Sequence, residues 1–210
     1  AIVRRMDTSV LSSNTRLVIF DLDGTLYDKR GIIGKMMMLG IGYWSLLLAE
    51  RRTREAFRGL YMGSEELFYR AYFHKMAKQT LLSEKQVRKW YHKVYMPMMV
   101  RVLQRWHHAM PWVKPCVKEC RERGIKMVVL SDYGHTHEKL RALNLNDDLF
   151  DWVVSAPELG GLKPASQLIE KVLENMDVTP AECLIIGDRE DTDGALAQAV
   201  GADFKLVSNP

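Results

Sequence analysis

The chain has little cysteine: only Cys116, Cys120 and Cys183 among 210 residues. An odd number of cysteines cannot all pair in internal disulfides, and a chain of this length does not need disulfides to fold. We therefore expect a reducing compartment, the cytoplasm. Cys116 and Cys120 lie one helical turn apart, but no second Cys/His pair follows at zinc-site spacing, which favours buried packing on a helix over a metal site.

Long hydrophobic runs are also absent. The longest uncharged apolar run, Met36 to Ala49, has 14 residues, whereas a membrane span needs about 20. We predict that this run is a buried helix, serving either the packing of a helical region or a dimer contact, so that monomer and homodimer both stay open. The segment Ala1 to Thr15 lacks the apolar core of a secretory signal and is expected to be a loose leader. A membrane role is not expected.

Charge is distributed unevenly along the chain. The net charge is only +4, yet the segment from Asp28 to Met110 holds 16 Lys and Arg against 6 Asp and Glu. A basic surface facing an acidic site would attract anionic substrates. The same charges are also typical of the solvated faces of helices, and both interpretations stay open.

Buried strands alternate with helices in most of the chain. Leu17 to Phe20 is short and wholly apolar, as expected of a strand that is buried on both faces. After Pro111 the pattern predicts four helices over 113–123, 135–143, a segment ending near 176, and 194–200, and four further strands over 125–130, 152–154, 183–186 and 203–207. Five strands that alternate with helices predict an α/β fold with a doubly wound, Rossmann-like parallel sheet.

The stretch from about Gly31 to His108 contains no convincing strand and has helical spacing throughout. Ser64 and Ser83 stand where helix N-caps are expected, and Gln86 completes a capping box with Ser83. We therefore predict that residues 1–27 and 109–210 form the α/β core and that residues 28–108 form an all-helical insert after the first strand.

Polar side chains stand after four of the predicted strands. Asp21 follows the first, Ser131 the second, Lys163 the third and Asp188 the fourth. The carboxyl ends of parallel strands meet at one edge of the sheet, where such folds bind ligands. Several carboxylates at one site repel each other unless a cation lies among them, and Mg²⁺ prefers oxygen ligands and keeps substrate phosphate in its shell. The pattern predicts phosphoryl transfer, with Asp21 and Asp188 on Mg²⁺ and with Ser131 and Lys163 on phosphate.

These motifs resemble those of the haloacid dehalogenase superfamily in its phosphatase branch, with phosphoglycolate phosphatase-like architecture. The resemblance rests on Asp21-Leu22-Asp23-Gly24-Thr25, on Ser131, on Lys163 and on the run from Gly187 to Asp193, and it covers the core from end to end. It also implies that the helical insert is the small cap of this family, which closes over the site and goes with small substrates.

The resemblance implies a role for each acid. Asp21 would attack phosphorus and form an aspartyl-phosphate. Asp23 would protonate the leaving oxygen, then activate the water, and would ligate the metal through its backbone carbonyl, while Asp188 would bind Mg²⁺ through its side chain. An ionised Asp21 beside a partly protonated Asp23 agrees with this division. Family members that cleave carbon–halogen bonds lack an acid at the position of Asp23, which favours phosphate esters.

Other polar residues have expected positions or secondary roles. Asp193 is favoured over Asp191 as the second acid of the last motif, where it would orient Lys163 or a metal-bound water. Asp132 is expected to cap the following helix, and His107, His108, His135 and His137 are expected at the surface or at helix ends. Arg51, Arg52 and Arg54 are candidates to contact a substrate carboxylate from the insert. Tyr43 and Trp44 are candidates to line the substrate pocket, although aromatic residues on a helix more often fill a core.

Three functions are compatible with this pattern. The favoured one is a Mg²⁺-dependent phosphatase acting on a small phosphomonoester metabolite, with no nucleic-acid partner. A phosphomutase on the same core is the nearest alternative, and release of free phosphate without a bisphosphate activator would distinguish the two. A non-catalytic protein that binds RNA or another partner through the basic insert is less favoured, because Asp21, Asp23, Ser131, Lys163 and Asp188 are all present.

Overall fold

One parallel five-stranded sheet forms the centre of the protein. The computed structural model describes residues 11–40 and 42–207, so most of the expected leader lies outside the described residues. The strands are β1 (Leu17–Phe20), β2 (Lys126–Ser131), β3 (Trp152–Ser155), β4 (Cys183–Gly187) and β5 (Asp203–Leu206). Their order in the sheet is β3-β2-β1-β4-β5, with every neighbouring pair parallel. The predicted doubly wound α/β fold is confirmed.

The central position of β1 explains its composition. Leu17 pairs with Lys126 of β2 on one side and with Cys183 of β4 on the other, and all four β1 residues are buried. Because both edges and both faces of β1 are covered, a continuous apolar run is the sequence that fits it. The register brings the carboxyl ends of β1, β2 and β4 to the same edge of the sheet.

Four helices alternate with strands β2 to β5 along the chain and flank the sheet. They are α6 (Val113–Glu122), α7 (Thr136–Ala142), α8 (Ser166–Met176) and α9 (Ala195–Val200). Cys116 and Cys120 are free thiols that are buried on α6, and Cys183 is buried in β4. The cysteines therefore pack in the core, as predicted.

Between β1 and α6, the described residues form five further α-helices. They are α1 (Ile32–Met38), α2 (Trp44–Phe57), α3 (Glu65–Ala77), α4 (Glu84–Trp90) and α5 (Met96–Trp106), with a π-helical turn at Tyr91–Tyr95 joining the last two. Ser64 caps α3 by accepting a hydrogen bond from the backbone N–H of Leu67, and Ser83 forms the predicted capping box with Gln86 on α4. The division of the chain into core and insert at residues 28 and 108 stays a prediction.

The prediction of one buried helix over 36–49 is wrong. The chain leaves the helix after Met38 and begins α2 only at Trp44. Gly40, Gly42 and Tyr43 all have positive φ angles, of 77°, 51° and 54°, and residues in this left-handed conformation cannot continue a right-handed helix. Within the described part of the chain, no helix is long and apolar enough to cross a membrane.

A short backbone pairing joins the insert to the core. The N–H of Met62 donates to the carbonyl of Gly160 at 2.7 Å, and the N–H of Leu162 donates to the carbonyl of Leu60 at 3.0 Å. A Cβ atom on Gly160 would collide with the backbone of Ser64, so glycine is needed for this close approach. The pairing fixes the loop that continues into Lys163.

Candidate active site

The structure gathers the predicted polar residues at the carboxyl edge of the sheet. Asp21 directly follows β1, Ser131 is the last residue of β2, and Asp188 directly follows β4. Lys163 reaches the same place from the loop after β3, where its peptide bond to Pro164 is cis. Residues that are up to 167 positions apart in the sequence therefore line one site.

Lys163 lies between two of the carboxylates. Its Nζ donates to Oδ1 of Asp21 and to Oδ1 of Asp193, each at 2.7 Å, and its side chain is only 4% exposed. Thr25 also donates to the other oxygen of Asp21 at 2.7 Å. Burial raises the pKa of Asp21, and the charge of Lys163 offsets only part of this effect. The lysine thus compensates the charge of two buried acids.

The structure distinguishes the two candidate acids of the last motif. Asp193 is buried against Lys163, whereas Asp191 is exposed and pairs with Arg189 and Arg58. Gly187 makes the position of Asp193 possible, because a Cβ there would collide with the Asp193 side chain. Of the two acids, Asp193 is therefore the one in contact with the site lysine.

Asp23 accepts hydrogen bonds from three buried side chains. Lys139 Nζ and the Tyr27 hydroxyl both donate to Oδ1 at 2.6 Å, and the Ser131 hydroxyl donates to Oδ2 at 2.7 Å. Burial alone would raise the pKa of Asp23, but the charge and hydrogen bond of Lys139, together with Tyr27 and Ser131, lower it below its usual value. These contacts fix the orientation of the Asp23 carboxyl group beside Asp21.

Lys139 and Tyr27 were not predicted as site residues from the sequence. A signal for Lys139 existed, because Thr136, Lys139, Leu140 and Leu143 follow the spacing of the buried face of α7, and a lysine at such a position needs a buried partner. Burial raises the pKa of Asp21, whereas Lys139, Tyr27 and Ser131 lower that of Asp23. The ionised Asp21 beside Mg²⁺ and the partly protonated Asp23 stay predictions.

The carboxylates form a group suited to a hard divalent cation. Oxygen atoms of Asp21, Asp188 and Asp193 lie within 4.8 Å of one another. Lys29 donates to Oδ2 of Asp188 at 2.6 Å and to the backbone carbonyl of Asp23 at 3.1 Å. Because one ammonium group contacts both oxygens, the two oxygens face a common position that a cation can occupy. Burial raises the pKa of Asp188, as expected for a carboxylate that lacks full compensation. An all-oxygen set of this kind fits Mg²⁺.

Asp132 has a different place from the one predicted. It does not cap α7; its Oδ1 accepts the backbone N–H of Lys163 at 3.0 Å. The cause is that α7 begins only at Thr136, so that His135 and not Asp132 occupies the N-cap position. Asp132 therefore positions the lysine loop, and burial raises the pKa of its carboxyl group.

Arg54 connects the insert to this loop. One Nη donates to the backbone carbonyl of Asp132 at 2.7 Å, and the guanidinium lies 3.8 Å from the ring centroid of Tyr133. On its own helix Arg54 pairs with Glu50, a residue that is 3% exposed and also accepts hydrogen bonds from Tyr72 and Tyr95. This buried network holds α2 of the insert over the strand ends.

The histidines occupy helix ends or the surface, with one difference. His107 follows α5 as expected, but it is buried, with its Nε2 2.9 Å from Lys35 Nζ and its ring edge-on to Tyr27. His137 lies on the outside of α7 and pairs with Asp147. None of these histidine contacts involves the carboxylates of Asp21, Asp188 or Asp193.

A cavity of about 580 Å³ lies between the insert and the carboxylates. Its floor includes Asp21, Lys163 and Asp188. Its walls from the insert include, among others, Ile33, Trp44, Leu48, Arg51 and Arg58. The site is therefore a concave, partly enclosed space with acids and a lysine at one end and a mixed apolar and cationic wall at the other, as is typical of small-molecule sites.

Comparison with known proteins agrees with these observations. The model of the haloacid dehalogenase-like hydrolase family matches residues 15–201. Haloacid dehalogenase-like hydrolase domain-containing protein 3 of Mus musculus is 24% identical over 92% of this chain and 82% of that protein. Ribulose-1,5-bisphosphate 5-phosphatase of Halopiger xanaduensis is 32% identical, over 46% of this chain and 41% of that protein.

A solved structure supports the fold. The structure of CbbY from Rhodobacter sphaeroides in complex with phosphate matches with a TM-score of 0.65 and 16% identity, over 93% of this chain and 87% of that one. The family model covers most of the chain, including every strand except the last. The chain therefore belongs to the haloacid dehalogenase-like hydrolase family, and the prediction of a hydrolase is confirmed.

Proposed function

We propose that the protein is a Mg²⁺-dependent phosphatase that hydrolyses a small phosphomonoester through an aspartyl-phosphate on Asp21. The observation that carries this proposal is the joint placement of Asp21, Asp188 and Asp193 around Lys163 at the carboxyl edge of the sheet. A relative named as a phosphatase supports it.

The first chemical step is attack by an Asp21 carboxylate oxygen on phosphorus. The new O–P bond forms as the ester P–O bond breaks, and the leaving oxygen takes a proton from Asp23. In the second step water attacks the aspartyl-phosphate, its proton passes to Asp23, and inorganic phosphate and Asp21 are regenerated. Asp21, Asp188 and the backbone carbonyl of Asp23 would hold Mg²⁺, which would supply positive charge to neutralise the phosphate oxygens.

Ser131 and Lys163 are the proposed phosphate ligands. Lys163 is already adjacent to Asp21, so its ammonium group lies where charge develops on the phosphoryl oxygens. The Ser131 hydroxyl donates to Asp23 in the structure and would redirect this hydrogen bond to phosphate when substrate binds. That change would free one Asp23 oxygen for proton transfer.

The helical insert has the proposed role of a cap. Through Arg54 it already contacts the loop after β2, and its side chains form one wall of the cavity. A wall of this kind excludes bulk water from an aspartyl-phosphate and limits the size of the leaving group. The proposed partner is a phosphorylated metabolite rather than a nucleic acid, and the cytoplasmic location stays a prediction.

The test is the activity of Asp21→Asn on a generic aryl phosphate with Mg²⁺. We expect turnover to fall at least about a thousandfold with the fold retained, because the amide is nearly isosteric but cannot attack phosphorus. Asp191→Asn is the matched control, since Asp191 is an exposed acid of the same motif, and it should keep its activity.

Wild-type turnover in Asp21→Asn would refute the proposed nucleophile. Removal of metal with EDTA should abolish the activity, and Mg²⁺ should restore it. Hydrolysis that requires an added bisphosphate activator would instead favour a phosphomutase.

A further inference from the structure

Three arginines of α2 have three different environments. Arg54 is fully engaged with Glu50, Tyr91 and the Asp132 carbonyl. Arg52 is exposed and does not line the cavity, whereas Arg51 is exposed and lines it. The side chain of Arg51 makes no ion pair or hydrogen bond with any residue in the described part of the chain. Of these three arginines, Arg51 is therefore the one whose charge is available to a ligand in the cavity.

The other cations that line the cavity already have acidic partners. Lys163 contacts Asp21 and Asp193, and Lys29 contacts Asp188. Arg58 and Arg189 both pair with Asp191. The contrast indicates that Arg51 is the side chain with which the wall of the cavity recognises negative charge.

Apolar side chains continue the same wall. Trp44 is 54% exposed, Leu48 37% and Ile33 44%, and all three line the cavity. Trp44, Leu48 and Arg51 follow each other at spacings of four and three residues, so they form a single stripe along α2. Large apolar groups that face a cavity of about 580 Å³ lose contact with water only when a ligand covers them.

We propose that the substrate is a phosphomonoester whose leaving group has an apolar, aromatic-sized body and a second negative charge. This inference rests on the proposed phosphatase function. The body packs against Trp44 and Leu48, and Arg51 pairs with the second anionic group, which is a carboxylate or a second phosphate. The substrate therefore differs from a short alkyl phosphate such as ethyl phosphate, whose leaving group is small and uncharged.

The charge is tested with two nearly isosteric esters, 4-carboxyphenyl phosphate and 4-carbamoylphenyl phosphate, on wild type and Arg51→Gln. We expect wild type to prefer the carboxylate, and we expect Arg51→Gln to lower the ratio of the two kcat/KM values about fivefold, as for a partly exposed ion pair. Arg52→Gln is the matched control and should leave the ratio unchanged. The bisphosphate of hydroquinone, assayed in parallel, shows whether a second phosphate is preferred over the carboxylate.

The apolar wall is tested with phenyl phosphate against ethyl phosphate. Trp44→Ala should lower kcat/KM for phenyl phosphate about tenfold more than for ethyl phosphate, because only the aryl ester covers the indole. Met38→Ala is the control, since Met38 is an exposed apolar residue of the insert that does not line the cavity.

Some results would overturn the inference while leaving the phosphatase intact. They are an unchanged carboxylate-to-amide ratio in Arg51→Gln, an equal loss in Arg52→Gln, or an equal effect of Trp44→Ala on both esters. If no ester is hydrolysed, the phosphatase proposal fails, and calorimetric binding of 4-carboxybenzylphosphonate still decides the inference. Weaker binding to Arg51→Gln than to Arg52→Gln would support it, and equal binding would overturn it.

Discussion

Replacement of Lys163 by methionine tests the charge balance of the site. The substitution keeps the length of the side chain but removes the ammonium group that lies 2.7 Å from both Asp21 and Asp193. Two buried carboxylates then face each other without the cation between them. We expect the folded protein to lose stability at neutral pH for this reason alone, independently of any effect on catalysis.

The size of the loss follows from the geometry. Carboxylate oxygens of these acids lie within 4.8 Å of each other, and two unit charges at about that distance repel by roughly 3.5 kcal/mol at an effective dielectric constant of about 20. The repulsion can also be relieved by protonating one of the acids. For a carboxyl group with an ordinary pKa near 4, protonation at pH 7 costs about 4 kcal/mol, which is therefore the upper limit of the penalty. At about 2–4 °C per kcal/mol for a domain of this size, Tm should fall by about 7–14 °C.

The assay is thermal unfolding of wild type and Lys163→Met in EDTA at pH 7 and pH 5. Without Lys163 the folded-state pKa of Asp21, already raised by burial, rises further above its unfolded value. Between these two pKa values the folded variant holds a proton that the unfolded chain has released, so its stability increases as the pH falls. The difference in Tm between wild type and Lys163→Met should therefore be smaller at pH 5 than at pH 7.

Two further variants complete the test. Lys118→Met, at an exposed lysine of α6, is the matched control and should unfold near the wild-type temperature. Lys163→Met combined with Asp193→Asn removes one of the two like charges and should regain part of the loss. A wild-type Tm for Lys163→Met, or a double variant no more stable than the single one, would refute the reasoning.

Two other lysines give further predictions. Lys29→Gln should bind Mg²⁺ about two- to fivefold more tightly in calorimetry, because a partly exposed ammonium group no longer competes for Asp188; unchanged or weaker affinity would contradict this. Lys139→Met should lower the free energy of unfolding by about 3–5 kcal/mol at pH 7, because Asp23 becomes a buried charge without a cation. The wild-type pKa of Asp23 lies below its unfolded value, so its favourable contribution is lost as pH falls. The deficit in denaturant unfolding should therefore be smaller at acid pH, and a deficit independent of pH would refute this assignment.

Much of the fold follows from local patterns in the sequence. The strand Leu17–Phe20 has the predicted bounds, and α8 ends at Met176 as predicted. The strand could be predicted because its own apolar run defines it. The prediction for residues 36–49 was wrong because it relied on apolar content, which does not reveal backbone conformation. The helix is interrupted at Gly40, Gly42 and Tyr43, which all adopt the left-handed conformation.

The site was predictable where topology alone brings residues together. Asp21, Ser131 and Asp188 end neighbouring strands, so any parallel sheet with this order unites them. The partner of Lys139 was not predictable in the same way, because its contact with Asp23 depends on how α7 packs against the end of β1. For the same reason, the sequence left Arg51, Arg52 and Arg54 equivalent, and the orientation of α2 alone separates them.

The hydrogen-bonded strip between residues 59–62 and 160–163 has a consequence for how the cavity opens. The N–H of Gly59 donates to the carbonyl of Lys163 itself, at 3.2 Å, so this part of the insert and the lysine segment are tied by their main chains. A hinge motion that lifted the insert here would pull Lys163 away from Asp21 and expose the nucleophile without its countercharge. Separation of the insert from the core along this strip would therefore disturb the charge balance of the buried acids.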